Sequence, residues 1–302
     1  MRQRLAILCS GQGGQHDGMF DLARTDAGAS SLIDAWALPS HADRFANRNA
    51  QPLVVGAACA IWQALQHRLP DPYIVAGYSV GEVAALAVAG VTTPADAVAL
   101  ARTRACLMDA CVDPRQPQGL AAISGLPHAA LCPLLASVSG APAAYLAIEN
   151  GEDQSIAGGL IATLEGLRGP IEAAGGRMQR LPVSVASHTP LMALAAAPLA
   201  NAISLLHAAS PRTRLLAGVS GSVVADARSA LQGLLAQTTA TVRWRACMDA
   251  IAESGATVAL ELGPGNSLAR MLSARHPGIA CRAVDDFRSI DGLVGWIARL
   301  AD

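Results

Sequence analysis

Residues 73–90 read Tyr73-Ile74-Val75-Ala76-Gly77-Tyr78-Ser79-Val80-Gly81-Glu82-Val83-Ala84-Ala85-Leu86-Ala87-Val88-Ala89-Gly90. An apolar run leads to a glycine, a serine stands at the centre of a Gly-x-Ser-x-Gly pentapeptide, and an alanine-rich stretch of helical composition follows. Strand, tight turn and helix in that order predict a serine raised to the mouth of a sheet on a strained elbow. Bulk at Gly77 or Gly81 would collide with the neighbouring strand or helix. Ser79 is therefore a candidate nucleophile for acyl transfer; without its flanks the same pentapeptide would be a helix capped by serine.

Outward from the elbow, apolar strand-like runs alternate with longer helical patterns, which predicts a parallel sheet covered by helices. The first run, Leu5 to Cys9, opens into the glycine-rich loop Gly11-Gln12-Gly13-Gly14-Gln15. Residues 50–68 read as a long buried helix with Pro52 near its first turn. A second helix is expected from Thr93-Pro94 to about Cys111, where Asp113-Pro114 breaks it. Between Gly119 and Pro182 the pattern changes to strand (Leu120 to Ile123), helix (Pro127 to Val138), strand (Ala144 to Ile148), strand (Ser155 to Ala157), helix (Leu160 to Ala174) and strand (Arg177 to Leu181). That β-α-β-β-α-β order is a ferredoxin-like unit. The expected organisation is an α/β chain in which residues 119–182 form a small insert and residues 1–118 with 183–302 form the larger part. Strands over Val258 to Leu262 and Ile279 to Val284, with Asn266 capping the helix between them, complete the larger part.

Composition narrows the function. The chain has 302 residues, 52% of them apolar and 15% charged, so it can bury a large core. No apolar run is long enough to span a bilayer or to serve as a signal-peptide core, and a cytoplasmic protein without membrane contact is expected. Seven cysteines lie scattered with no Cys-x-x-Cys pair, which argues against a metal site and a disulfide framework. A net charge of −1 and only three Phe and three Tyr disfavour nucleic acid as a partner. All 22 basic residues are arginine. Schiff-base chemistry and a P-loop are thereby excluded, and arginine is the only strong cation for a carboxylate or phosphate.

A serine nucleophile needs a base. His188, in Val185-Ala186-Ser187-His188-Thr189-Pro190-Leu191-Met192, sits where a loop leaves the insert and a helix begins, a junction that can aim an imidazole across a cleft at Ser79. His16, His41, His67, His128, His207 and His276 read as solvated loop or helix-surface residues. By spacing alone Arg104 is a helix-surface arginine beside Asp109. Glu82 reads as a residue that favours the positive end of the elbow helix, and Asn150 with Gln154 as the closure of a turn between two strands.

The chain resembles the malonyl-CoA:acyl carrier protein transacylases over nearly its whole length. The resemblance is carried, in order, by Gly11 to Gln15, the elbow Gly77 to Glu82, Arg104-Ala105-Cys106-Leu107-Met108, Asn150 with Gln154, Ser187 to Met192, Pro211 onward to Val242-Arg243-Trp244, and Glu261-Leu262-Gly263-Pro264-Gly265. It implies an α/β-hydrolase-like large subdomain carrying a ferredoxin-like small one, with the active site between them. It further implies Ser79 as nucleophile, His188 as base, the backbone amides of Gln12 and Val80 as oxyanion hole, Arg104 as the holder of a substrate carboxylate, and Asn150 in the pocket. A main-chain carbonyl at Arg243 would orient the histidine. The donor implied is malonyl-CoA, the acceptor the thiol prosthetic group of an acyl carrier protein, and no cofactor is permanently bound.

Two departures stand out: Tyr78 replaces the family's usual histidine, and Cys9-Ser10 replaces an aromatic-proline pair. Together with the short length they are similar to the epsilon subunit of malonate decarboxylase, which implies partner subunits of that system. Fatty-acid or polyketide synthesis, and a serine thioesterase or hydrolase, are the alternatives. Arg177, Arg180, Arg275 and Arg282 are candidates for a surface that meets an acidic carrier.

Overall fold

The computed structural model describes residues 3–40, 43–137 and 143–301. Its strands, in chain order, are β1 (Leu5–Cys9), β2 (Ile74–Gly77), β3 (Gln118–Ser124), β4 (Tyr145–Glu149), β5 (Gln154–Leu160), β6 (Arg177–Arg180), β7 (Arg214–Leu215), β8 (Val258–Leu262) and β9 (Ala280–Ala283). The first sheet is parallel, in the order β7-β2-β1-β8-β9. Every residue of β1, β2 and β8 is buried, as expected of strands covered on both faces.

The register decides where a site can form. Cys9 lies opposite Gly77 on one side and Leu262 on the other, so β1, β2 and β8 end level with one another. Three loops leave that shared edge: the glycine-rich loop after β1, the elbow after β2 and the Gly263-Pro264-Gly265 turn after β8. Ligand sites of parallel α/β sheets lie at such carboxyl edges.

The long helix Asn47–Leu65 is buried along almost its entire length and packs against the helix Pro94–Asp109. Thr93 caps the latter by accepting from the Asp96 amide, with Pro94 next to it. Pro52 falls inside the first of these helices, since the helix begins at Asn47 rather than near residue 50. Asn266 occupies the cap position expected of it, but its side chain makes no capping bond.

The second sheet is antiparallel, in the order β4-β5-β3-β6, with helices His128–Ala136 and Ile161–Ala173. Ala121, Ile123, Leu131, Leu164, Leu167 and Ile171 form its own core. This is the ferredoxin-like unit the pattern predicts. Its β5 runs three residues further than the expected Ala157, because Gly158 and Gly159 continue the ladder opposite Leu120 and Gly119. The last residue of the expected helix, Val138, lies outside the described residues, as does His41.

Leu120, Ala147 and Ile156 of the small sheet share an apolar cluster with Ala6, Leu8 and Ile74 of the large one, and a short segment adds backbone bonds to β4. The Val242 amide donates to the Ala147 carbonyl at 2.9 Å and the Val242 carbonyl accepts from the Glu149 amide at 2.9 Å. Thr241 adds a side-chain bond to the Leu146 carbonyl at 2.7 Å. The end of β4 is thereby held beside the carboxyl edge of the parallel sheet.

Candidate active site

Ser79 follows β2 with φ of 54°, the left-handed backbone of an elbow. Its neighbours explain the glycines. A Cβ at Gly77 would lie 2.3 Å from the Glu82 backbone, and one at Gly81 would lie 2.1 Å from the Cys9 carbonyl oxygen. The helix Gly81–Val88 starts at once behind the serine.

His188 also has positive φ, 62°, and is 1% exposed. Its Nε2 lies 2.7 Å from the Ser79 Oγ. The other ring nitrogen, Nδ1, faces the main-chain oxygen of Gln237. A carbonyl can only accept, so Nδ1 carries the proton and Nε2 is left to receive the serine proton. Burial, aided by the nearby Arg104 charge, pushes the imidazole down to about 3, opposed by the Gln237 bond. The ring is therefore neutral at physiological pH, the form a general base needs.

The carbonyl at Arg243 does not orient the histidine. Arg243 caps the helix Trp244–Glu253, and its oxygen is taken by the Cys247 amide at 3.1 Å. Gln237 ends the helix Ala227–Ala236, where carbonyls have no helical partner, and so its oxygen is free for the imidazole.

Arg104 is 1% exposed and belongs to the interior, not to a helix surface beside Asp109. Its Nη1 donates to Gln51 Oε1 at 2.6 Å and its Nη2 to Gln237 Oε1 at 3.3 Å. Its Nε is buried with no partner among the described residues. Two neutral amide oxygens and one idle donor leave the guanidinium able to accept a carboxylate. Burial lowers it to about 10, with Glu82 opposing, so it stays charged at neutral pH. Asp109 instead accepts from Asn47 Nδ2 at 2.8 Å.

A polar chain runs from this arginine to the first loop: Gln51 Nε2 donates to Asn47 Oδ1 at 2.8 Å, and Gln12 Nε2 reaches the same oxygen at 3.3 Å. The backbone amides of Gln12 and Val80 have no acceptor among the described residues. Gln12, Tyr78 and Asn150 share the wall of a cavity of about 360 Å³. Tyr78 donates to Asn150 Oδ1 at 3.0 Å and meets Trp244 edge-on at 5.3 Å. Asn150 also donates through its backbone to the Gln154 carbonyl at 2.9 Å, closing the turn between β4 and β5 as its sequence position suggested.

The acyl transferase domain family model matches residues 46–280. A malonyl CoA-acyl carrier protein transacylase of Mycobacterium tuberculosis is 33% identical over 96% of this chain and 99% of its own length. The chain belongs to this transacylase family. A crystal structure of the M. tuberculosis protein superposes with a TM-score of 0.88 at 32% identity, covering 99% of this chain and 100% of that one. A malonyl-transacylase solved in complex with its type II PKS acyl-carrier protein superposes with a TM-score of 0.88 at 27% identity, covering 98% and 100%. The large α/β part and the small ferredoxin-like part are common to the transacylase structures.

Within the transacylase fold, Gln51 and Gln237 were missing from the sequence reading. Gln51 had a detectable signal: it stands one helical turn after Asn47, a second polar residue on a helix face that is otherwise apolar. Gln237 had none, because its contribution through the main chain depends on where a helix stops. Of the histidines read as solvated, His16, His67 and His207 are exposed, His16 being paired with Asp285 at 2.9 Å, while His276 is half-buried and paired with Asp249 at 2.9 Å. His128 is half-buried, and its Nε2 has no partner among the described residues.

Proposed function

We propose that this transacylase moves malonyl from malonyl-CoA to the thiol of an acyl carrier protein by way of an ester on Ser79. The Ser79 proton passes to His188 Nε2 as the Oγ–C bond forms. The tetrahedral oxyanion is received by the amides of Gln12 and Val80. Collapse breaks the C–S bond, and the imidazolium returns its proton to the departing CoA sulfur. The carrier thiol then enters by the reverse steps. Losing one oxyanion donor costs about 3–4 kcal/mol of barrier in comparable sites. The Val80 amide is well suited because the elbow helix begins there and directs its positive end at the site.

The single observation that carries the malonyl assignment is Arg104: a buried cation with neutral partners and an idle Nε, linked through Gln237 to the serine and histidine. Its planar fork suits a carboxylate, whereas acetyl would leave it without an anion. The carbonyl at His188 Nδ1 favours this reading over a hydrolase, which normally has a carboxylate there. Asn150 belongs to the pocket wall through Tyr78. In this reading residues 119–182 are the small subdomain, and the rest of the chain is the catalytic one. The finer placement in a malonate decarboxylase, with its partner subunits, rests on Tyr78, Cys9-Ser10 and the short length. The relatives described above instead bear carrier-protein transacylase names.

The test is intact-mass detection of acyl-Ser79 after mixing with malonyl-CoA or acetyl-CoA. Arg104→Ala should lower malonyl labelling by at least about a hundredfold while sparing acetyl labelling, given that breaking a buried ion pair costs on the order of 3–5 kcal/mol. An unchanged malonyl-to-acetyl ratio would remove Arg104 from carboxylate recognition.

A further inference from the structure

The steps above leave the carboxylate of Glu82 unused, although it lies in the middle of the site. It is 2% exposed, so it is not simply an acid displayed at a helix start. Gly218 makes room for it: a Cβ there would come 2.5 Å from Glu82 Oε2. The Gly218 amide donates to Oε2 at 3.2 Å, and Gln237 Nε2 donates to the same oxygen. The charged or titratable groups acting with it are Arg104, from the helix Pro94–Asp109, and Cys247, from the helix Trp244–Glu253.

Gln237 is thus held from two sides by groups that read its amide oppositely. An ionised Glu82 can only accept and selects the NH₂ end; Arg104 can only donate and selects the oxygen. With the amide set in that sense, Nε2 also reaches the Ser79 carbonyl at 3.1 Å, tying the elbow to the residue whose main-chain oxygen holds His188. Resting on the function proposed above, we infer that Glu82 is a positioning residue for acyl transfer: through the Gln237 side chain it holds the Gln237 carbonyl on His188 and the Ser79 elbow in register.

Such a role belongs to the limiting rate of acylation and not to donor affinity. Rapid-quench labelling of Ser79 across a range of malonyl-CoA concentrations separates the two. Glu82→Gln, nearly identical in shape, should acylate at least about tenfold more slowly, the loss expected when a charge-assisted bond is replaced by a neutral one, with half-saturation within about twofold of wild type. Gln237→Met removes the amide but keeps the main-chain carbonyl and should slow the limiting rate similarly. Because the two act through one contact, the double variant should be no slower than the slower single one.

A limiting rate within twofold of wild type in either variant overturns the inference. So do multiplicative losses in the double variant, or a rise in half-saturation that matches the fall in rate, which a general loosening of the site would give. If Glu82→Gln does not fold, the Gln237→Met rate decides alone. Failure of the wild type to take up malonyl would overturn the proposed function itself, whereas labelled wild type with unaffected variants removes only the role of Glu82.

Discussion

Two side chains that define the site sit on left-handed backbone, Ser79 at φ 54° and His188 at φ 62°. Each such residue costs on the order of 1–3 kcal/mol, tolerated only where surrounding packing fixes it. Burial of the imidazole adds a cost that depends on pH. Its folded-state value, about 3, lies below the unfolded value of 6.5. Between those limits the unfolded chain binds the extra proton, so this group contributes stability above pH 6.5 that is lost progressively as pH falls toward 3. Comparison with His188→Gln isolates the effect. Between pH 7 and pH 5 wild type should lose about 2 kcal/mol relative to the variant. Paired denaturant titrations at both values check this, and parallel behaviour would mean an imidazole that titrates normally. Serine acylation should likewise show no acid limb at the ordinary imidazole value that belongs to His188.

At the scale of elements, the elbow works because three backbones pass within contact distance. Gly81 faces the end of β1 and Gly77 faces the first turn of its own following helix. Gly81→Ala should destabilise the protein by about 1–3 kcal/mol, the usual cost of overpacking, and should also slow Ser79 labelling because Cys9 and the elbow must move apart. Thermal unfolding and acyl labelling would be read on the same sample. A stable variant with undiminished labelling would show that the elbow can relax without moving the hydroxyl. The same close approach explains why this motif was readable: glycine on either side of Ser79 is a steric requirement, and steric requirements leave a mark in the chain. The two ferredoxin-like helices and the order of the four small-sheet strands were readable too, from apolar periodicity and short turns. Boundaries were less so, since β5 continues through Gly158 and Gly159, which contribute no apolar signal.

Across the whole molecule, the small sheet is anchored to the large one by the Val242 backbone and by Tyr78 with Asn150, one residue from each part. The phenol stays un-ionised, since burial raises it to about 12, and it is therefore a permanent donor to the amide oxygen. A double-mutant cycle of Tyr78→Phe with Asn150→Ala should give a coupling of about 1 kcal/mol in unfolding free energy. Strictly additive effects would deny the two side chains a shared bond in solution. Arg104 illustrates the reverse of the elbow's legibility. Local spacing makes it a surface residue next to Asp109; the packing of the helix Asn47–Leu65 against the helix Pro94–Asp109 makes it the most deeply enclosed cation of the site, among the described residues.

Taken alone, the chain determined the alternation of strand and helix, the ferredoxin-like insert, the elbow serine and the histidine most suited to serve it. These follow from periodicity, turn chemistry and residue type, which act over a few neighbours. Only the tertiary structure decided that Gln237 rather than Arg243 supports the imidazole, that Gln51 and Gln237 attend Arg104, and that Glu82 is enclosed. Each of those depends on a backbone carbonyl left free by a helix end, or on polar groups brought together from distant segments, and a local pattern such as that of Gln51 marks a buried polar residue without naming its partner.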